Sequence, residues 1–179
     1  DFSAQLTDLT RVEKGYEISI VTEARVAGAL VWDELSVVLV RKGGSGIRKQ
    51  KAEPAESPGY SEPMQWQLAA NKGREYAAAS GDYNLIHLYP LTAKLMGFKR
   101  PIMHGMWSKG RALAHLLPEQ CPWPVSVEVT FKLPIFLPAT VTLMSSREAG
   151  GSRFEMRDGQ GQKPHLVGQL CTGGTSIDT

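Results

Sequence analysis

Cysteine is scarce in this chain: 179 residues carry only Cys121 and Cys171, with no CxxC pair and no zinc-like spacing. Two isolated thiols exclude a disulfide framework and point to a reducing, cytoplasmic setting. A long apolar run is also missing. The most hydrophobic stretches, Ala27–Trp32 and Leu35–Val40, fall far short of the ~20 residues that a membrane span needs, so no membrane partner is expected. An excess of one charge is missing as well, because 20 Lys and Arg stand against 18 Asp and Glu. The one basic cluster, Arg48-Lys49-Gln50-Lys51, lies in a polar stretch and reads as a solvated loop. Nucleic-acid binding is therefore not expected. No methionine opens the chain, and no positive-then-apolar leader follows Asp1, so the chain reads as a trimmed product.

What is present suits a folded protein. Hydrophobic residues reach 42% and charged residues 21%, which excludes disorder of the whole chain. A chain of this length buries about 70% of its unfolded surface and needs neither a metal nor a disulfide for stability.

Three zones follow along the chain. In residues 1–42, Tyr16, Ile18 and Ile20 alternate with Glu17 and Ser19, and the runs Ala29–Trp32 and Leu35–Val40 follow. This is the pattern of two or three β-strands without a helix. Residues 43–63 are dominated by Gly, Pro, Ser and charge and read as a flexible linker. Residues 64–172 form the main body, and residues 173–179 a frayed tail.

The main body opens with a short strand, Met64–Leu68. Residues 72–80 favour a helix, with Asn71 as its N-cap and Gly81 ending it. Residues 82–87 form a polar loop, residues 88–97 a short helix stopped by Gly97, and residues 98–103 an extended segment. Residues 104–117 make a helix that is apolar around most of its circumference and is therefore expected to be buried. Period-two alternation from Val125 to Leu133, then Thr140–Met144, Ser152–Arg157 and 165–171, gives four antiparallel strands. One apolar helix wrapped by an antiparallel sheet is an α+β solution, and the hot dog fold is its familiar form.

Chemistry-bearing residues cluster at two places. Ser80, Gly81, Asp82, Asn84 and His87 fall between helices, and His104-Gly105-Met106 opens the apolar helix. Each group alone has a plain structural reading. Ser-Gly-Asp-x-Asn is ordinary turn chemistry, and a histidine before an apolar helix is most simply a core or capping residue. Together they suggest more. An Asp and a His on one loop can share a water molecule. A helix that starts at glycine offers an open N–H at the positive end of its dipole, which is an oxyanion site. A water-activating pair with an electrophilic stabiliser suits water addition to a chain conjugated to a carbonyl.

The run YAAASGDYNLIH over residues 76–87, followed by PIMHGM over residues 101–106, resembles the MaoC-like dehydratases, which include the (R)-specific enoyl-CoA hydratases. The resemblance covers residues 64–172 and both motifs in order. It implies a hot dog domain that reversibly hydrates trans-2-enoyl thioesters to 3-hydroxyacyl thioesters. By that resemblance Asp82 and His87 are the catalytic pair, the Gly105 N–H binds the thioester oxygen, and Asn84 shapes the loop. No metal and no other cofactor is implied. The substrate would be a thioester of coenzyme A or acyl carrier protein. The working unit would be a homodimer, or an intramolecular pair in a longer parent chain.

Two positions depart from the family pattern. Leu85 stands where proline is usual, which removes a fixed φ from the loop. Met103 stands where alanine is frequent, and its longer side chain would narrow an acyl tunnel. Residues 1–42 resemble the later strands of an N-terminal hot dog, as in two-repeat members. His115 and His165 have no motif partner and read as structural. Arg74, Lys94, Lys99, Arg100, Lys109 and Arg111 are candidates for coenzyme A phosphates, although each singly reads as a solvated side chain. Two other functions fit the same fold: a non-catalytic subunit that binds acyl thioesters, and a hot dog thioesterase. The Asp-x-Asn-x-x-His spacing fits a hydratase better than either.

Overall fold

A computed structural model describes residues 1–41, 63–148 and 150–174. The linker expected at 43–63 lies, apart from Pro63, outside the described residues, as does the end of the expected tail.

The chain separates into two compact units. The first is a three-stranded antiparallel sheet in the order β1-β2-β3, with β1 Phe2–Val12, β2 Gly15–Val26 and β3 Ala29–Arg41. The alternation from Tyr16 onward becomes the middle strand. β3 runs unbroken through Asp33-Glu34, which the sequence reading treats as a gap between two apolar runs. Pairing explains the continuity, because Asp33 stands opposite Glu23 and Glu34 opposite Thr22 in the ladder. β1 escapes the sequence reading altogether, since its side chains are almost all exposed and carry no clean alternation.

The second unit carries the site. Its sheet has five antiparallel strands in the order β4-β6-β7-β8-β5. They are β4 Met64–Leu68, β5 Val125–Phe131, β6 Ala139–Glu148, β7 Gly151–Asp158 and β8 Pro164–Thr172. Three helices lie between β4 and β5: α1 Lys72–Ser80, α2 Pro90–Leu95 and α3 Gly105–Leu116. An antiparallel sheet packed on one long helix is the hot dog fold.

The core joins the sheet to α3. Phe154, Met156, Leu143, Leu166 and Leu170 from the sheet cluster with Ala112 of α3, and Trp107, Leu113 and Leu116 pack around them. Only Ser108 and Ala112 of α3 are buried, one helical repeat apart on the same face. Small side chains there let the helix axis approach the sheet closely. The opposite face, with Met106 half exposed, is open. The helix is thus less enclosed than its apolar circumference suggests, because this unit's sheet covers a single face of it.

Candidate active site

Helix α1 ends at Gly81, whose φ of 78° is the left-handed value a C-cap requires and whose N–H donates to the carbonyl of Ala77. The chain leaves the helix at Asp82. From there local bonds shape the loop. The Asp82 N–H donates to the Ser80 Oγ at 3.2 Å, and the Asn84 N–H donates to the Asp82 Oδ1 at 3.1 Å. Asn84 then caps a single 3-10 turn, Leu85–His87, its side-chain oxygen accepting from the Ile86 N–H at 3.3 Å. Asn84 shapes the loop as expected. The turn forms with Leu85 in place of proline, and Leu85 is half exposed. The lost rigidity is offset by the Asn84 cap and by Thr92, whose hydroxyl donates to the Leu85 carbonyl at 2.7 Å.

This turn aims His87 inward. Its ring is 7% exposed, and Nδ1 lies 2.7 Å from the carbonyl oxygen of Ile102. A carbonyl only accepts, so Nδ1 carries the hydrogen and Nε2 of the neutral ring keeps the lone pair. Burial pushes the His87 imidazole below its ordinary value. The Ile102 carbonyl and the Asp82 carboxylate oppose that shift, and neighbouring His104 adds to it.

Helix α1 backs the turn at the smallest separation a backbone allows. A Cβ placed on Gly73 would run into the carbonyl of His87, so only glycine fits at that crossing. Arg74, one residue on, donates to the Leu88 carbonyl at 3.0 Å and stacks over the Tyr89 ring. Arg74 therefore ties α1 to the site loop. Lys99 lies over the Phe136 ring at 4.6 Å, and Arg111 over that of Trp66 at 4.7 Å.

His104 is the residue whose place the sequence least reveals. It precedes α3 in an extended conformation and makes no side-chain cap bond. Its ring is 2% exposed and stacks on His87, with centroids 3.6 Å apart and planes 24° from parallel. Its Nε2 lies 2.9 Å from the backbone oxygen of Asp82 and 3.9 Å from the Asp82 Oδ2. The Tyr76 ring, from α1, makes a T-shaped contact with it, with centroids 4.9 Å apart. It is neither a capping histidine nor an ordinary core one. Its signal in the sequence is the His-Gly step at a helix start, but a contact spanning 22 residues is not written in any local pattern.

Asp82, His87 and His104 thus converge. A ligand-type atom of each lies within 4.8 Å of one on each of the others, with Asp82 exposed and both histidines buried. Two histidines and a carboxylate this close resemble a metal-ligand set. Each imidazole, however, commits one ring nitrogen to a backbone carbonyl, and the two rings stack nearly parallel, which turns their nitrogens away from a common tetrahedral point. The set fits proton transfer better.

Gly105, next along from His104, begins α3, where the first-turn N–H groups have no partner within the helix. The Phe131 ring closes over it: a Cβ at Gly105 would meet the Phe131 Cε1 at 2.9 Å. Met103 lies on the other side of His104 and belongs to the core cluster beside Leu68 and Ala112, 4% exposed. Its extra length relative to alanine fills the domain core. His165 and His115 sit apart from this site, the first at the Leu133 carbonyl and the second edge-on to Trp66.

Fold and site together define the class: an α+β hot dog domain with an Asp-His loop beside the glycine start of its central helix. Comparison with known proteins narrows it. The MaoC like domain family model matches residues 49–169. The 3-hydroxyacyl-thioester dehydratase X of Mycobacterium tuberculosis is 31% identical over 161 residues, which cover 89% of this chain and 57% of that protein. The crystal structure of HtdX from Mycobacterium tuberculosis superposes with a TM-score of 0.74 at 29% identity, covering 95% of this chain and 67% of that one. The (R)-specific enoyl-CoA hydratase of Aeromonas caviae is 39% identical over 71 residues, 37% of this chain and 52% of that enzyme. The chain belongs to the MaoC-like dehydratase family. It spans little more than half the length of the curated relatives named here. Among the described residues, no helix is long and apolar enough to cross a membrane.

Proposed function

We propose that this chain is a hydro-lyase that reversibly adds water to trans-2-enoyl thioesters of coenzyme A or acyl carrier protein, giving 3-hydroxyacyl thioesters. One observation carries the reading: His87 is buried, its Nδ1 hydrogen is committed to Ile102, which leaves Nε2 as its basic atom, and its ring shares one cluster with Asp82.

The chemistry follows from that arrangement. Water held between the Asp82 carboxylate and the His87 Nε2 gives a proton to the imidazole as its oxygen bonds to C3. The C2–C3 π electrons move toward the thioester, and negative charge grows on its oxygen. The Gly105 N–H, at the positive end of the α3 dipole, meets that charge. The proton held by His87 then passes to C2, which collapses the enolate and restores the neutral ring. Dehydration is the same path reversed. Asp82 stabilises the transient imidazolium. The names of the relatives from Mycobacterium tuberculosis and Aeromonas caviae support the thioester substrate. A homodimer and a cytoplasmic location belong to the same proposal.

Product analysis tests the reading. With a short trans-2-enoyl-CoA and the purified chain, the expected product is the 3-hydroxyacyl-CoA with its thioester intact. Free thiol without hydroxylated product would identify a thioesterase. Stoichiometric binding without turnover would identify an acyl-thioester-binding subunit. Either result overturns the proposal.

A further inference from the structure

Asp82 has few ties to the rest of the domain. Its N–H bonds to Ser80 and its Oδ1 accepts from Asn84, both on its own loop, and its side chain is 55% exposed. Among the described residues, the hydrogen bond that fastens it to another element runs from its backbone oxygen to the His104 Nε2 at 2.9 Å. The same imidazole lies flat against His87 at 3.6 Å. One buried ring therefore touches both members of the pair.

The chemistry of that ring is constrained. The Asp82 oxygen accepts only, so Nε2 of His104 is the donor, and in the neutral ring Nδ1 is a bare lone pair. Nδ1 is buried and has no hydrogen-bond partner among the described residues. An imidazole kept in the core with one nitrogen unsatisfied is a poor choice for packing, where leucine or phenylalanine would fill the space without that cost. The ring is held in place by contacts on both sides of the site: the His87 face, and the T-shaped contact with Tyr76 from α1.

We infer that His104 is a positioning residue for the hydration, registering Asp82 to His87 through one donated hydrogen bond and one stacking face. This rests on the proposed role of Asp82 and His87. His104 has no proton-transfer step of its own in this scheme. It acts by keeping the Asp82 carboxylate at the distance from the His87 Nε2 at which both reach one water.

Two substitutions in the full chain separate the two contacts. His104→Phe keeps a flat ring against His87 and removes the donor. His104→Gln removes the ring and places an amide N–H where Nε2 stood. The expected result for His104→Phe is a loss in kcat of about 10²-fold, the scale of a misplacement of about 1 Å, with KM nearly unchanged. His104→Gln should recover most of that loss. A packing role would give the reverse order, with Phe active and Gln impaired, and would overturn the inference. Equal loss in both variants at unchanged melting temperature would also overturn it, since the donor would then not matter. Asp82→Asn, assayed alongside, tells the two readings apart. If Asp82→Asn keeps full activity, the proposed role of Asp82 fails; if it is inactive while His104→Phe is active, only the role of His104 fails. Should neither variant fold, ¹⁵N spectra of the histidine side chains in the unaltered chain decide. Hydrogen on Nε2 of His104 and on Nδ1 of His87 is expected, and the opposite tautomer at His104 contradicts the inference.

Discussion

At the scale of single residues, the site works by taking freedom away from polar atoms. His87 has one nitrogen bound to Ile102 and the other bare, so its basic atom is chosen by the backbone and not by exchange with solvent. Burial lowers its proton affinity, which keeps the ring neutral in the ground state at pH values where an exposed imidazole, near 6.5, is half protonated. The direction of the pH dependence follows. Hydration needs the neutral base, so kcat/KM should fall only when His87 gains a proton. Because that proton is bound less readily than usual, the acid limb should lie below about pH 6.5. A pH profile of kcat/KM checks this, and an acid limb above about 6.5 contradicts it. That Asp82 and His87 share one loop and that Gly105 opens α3 was legible in the sequence, because turn residues and a glycine helix start mark those positions. The use of His104 was not, because its partners lie far along the chain and the stacked geometry arises only once α3 docks.

At the scale of elements, helix α1 is the scaffold of the loop. Its C-terminal Gly81 launches Asp82, its Arg74 holds Leu88, its Tyr76 braces His104, and its Gly73 admits the carbonyl of His87. The last contact has a direct test. Gly73→Ala gains helix propensity, worth about 1 kcal/mol in an isolated helix. Here its Cβ would collide with backbone that cannot swing aside, so α1 and the turn must part. A net destabilisation of about 1–3 kcal/mol is expected, the usual cost of overpacking, together with reduced activity. Thermal denaturation of the variant measures the first, and a stabilised variant would contradict the packing described. The boundaries of α1 and the existence of the strands from Val125 onward were readable because Gly81 and period-two alternation mark them, although β6 runs on to Glu148 past the expected Met144. The exposed strand β1 was not, since it presents no buried face to pattern. The partial exposure of α3 was also hidden, because apolar composition does not say which elements are there to cover a helix.

At the scale of the whole molecule, the second unit contains every residue assigned to the proposed chemistry, and the first is a separate three-stranded sheet. The five-stranded sheet and α3 form the rigid support, and the loop between α1 and α2 carries the polar groups across its end. The fold alone does not name the acyl group or its carrier. The central claim is that Asp82 and His87 act as one water-activating unit. The measurement that reaches it most directly is kcat/KM for hydration of a short trans-2-enoyl-CoA by the full chain and by Asp82→Asn and His87→Ala, each confirmed folded by its thermal transition. Losses of about 10²-fold or more in both variants are predicted, the range ascribed to a positioned acid or base. Full activity in either variant would contradict the account.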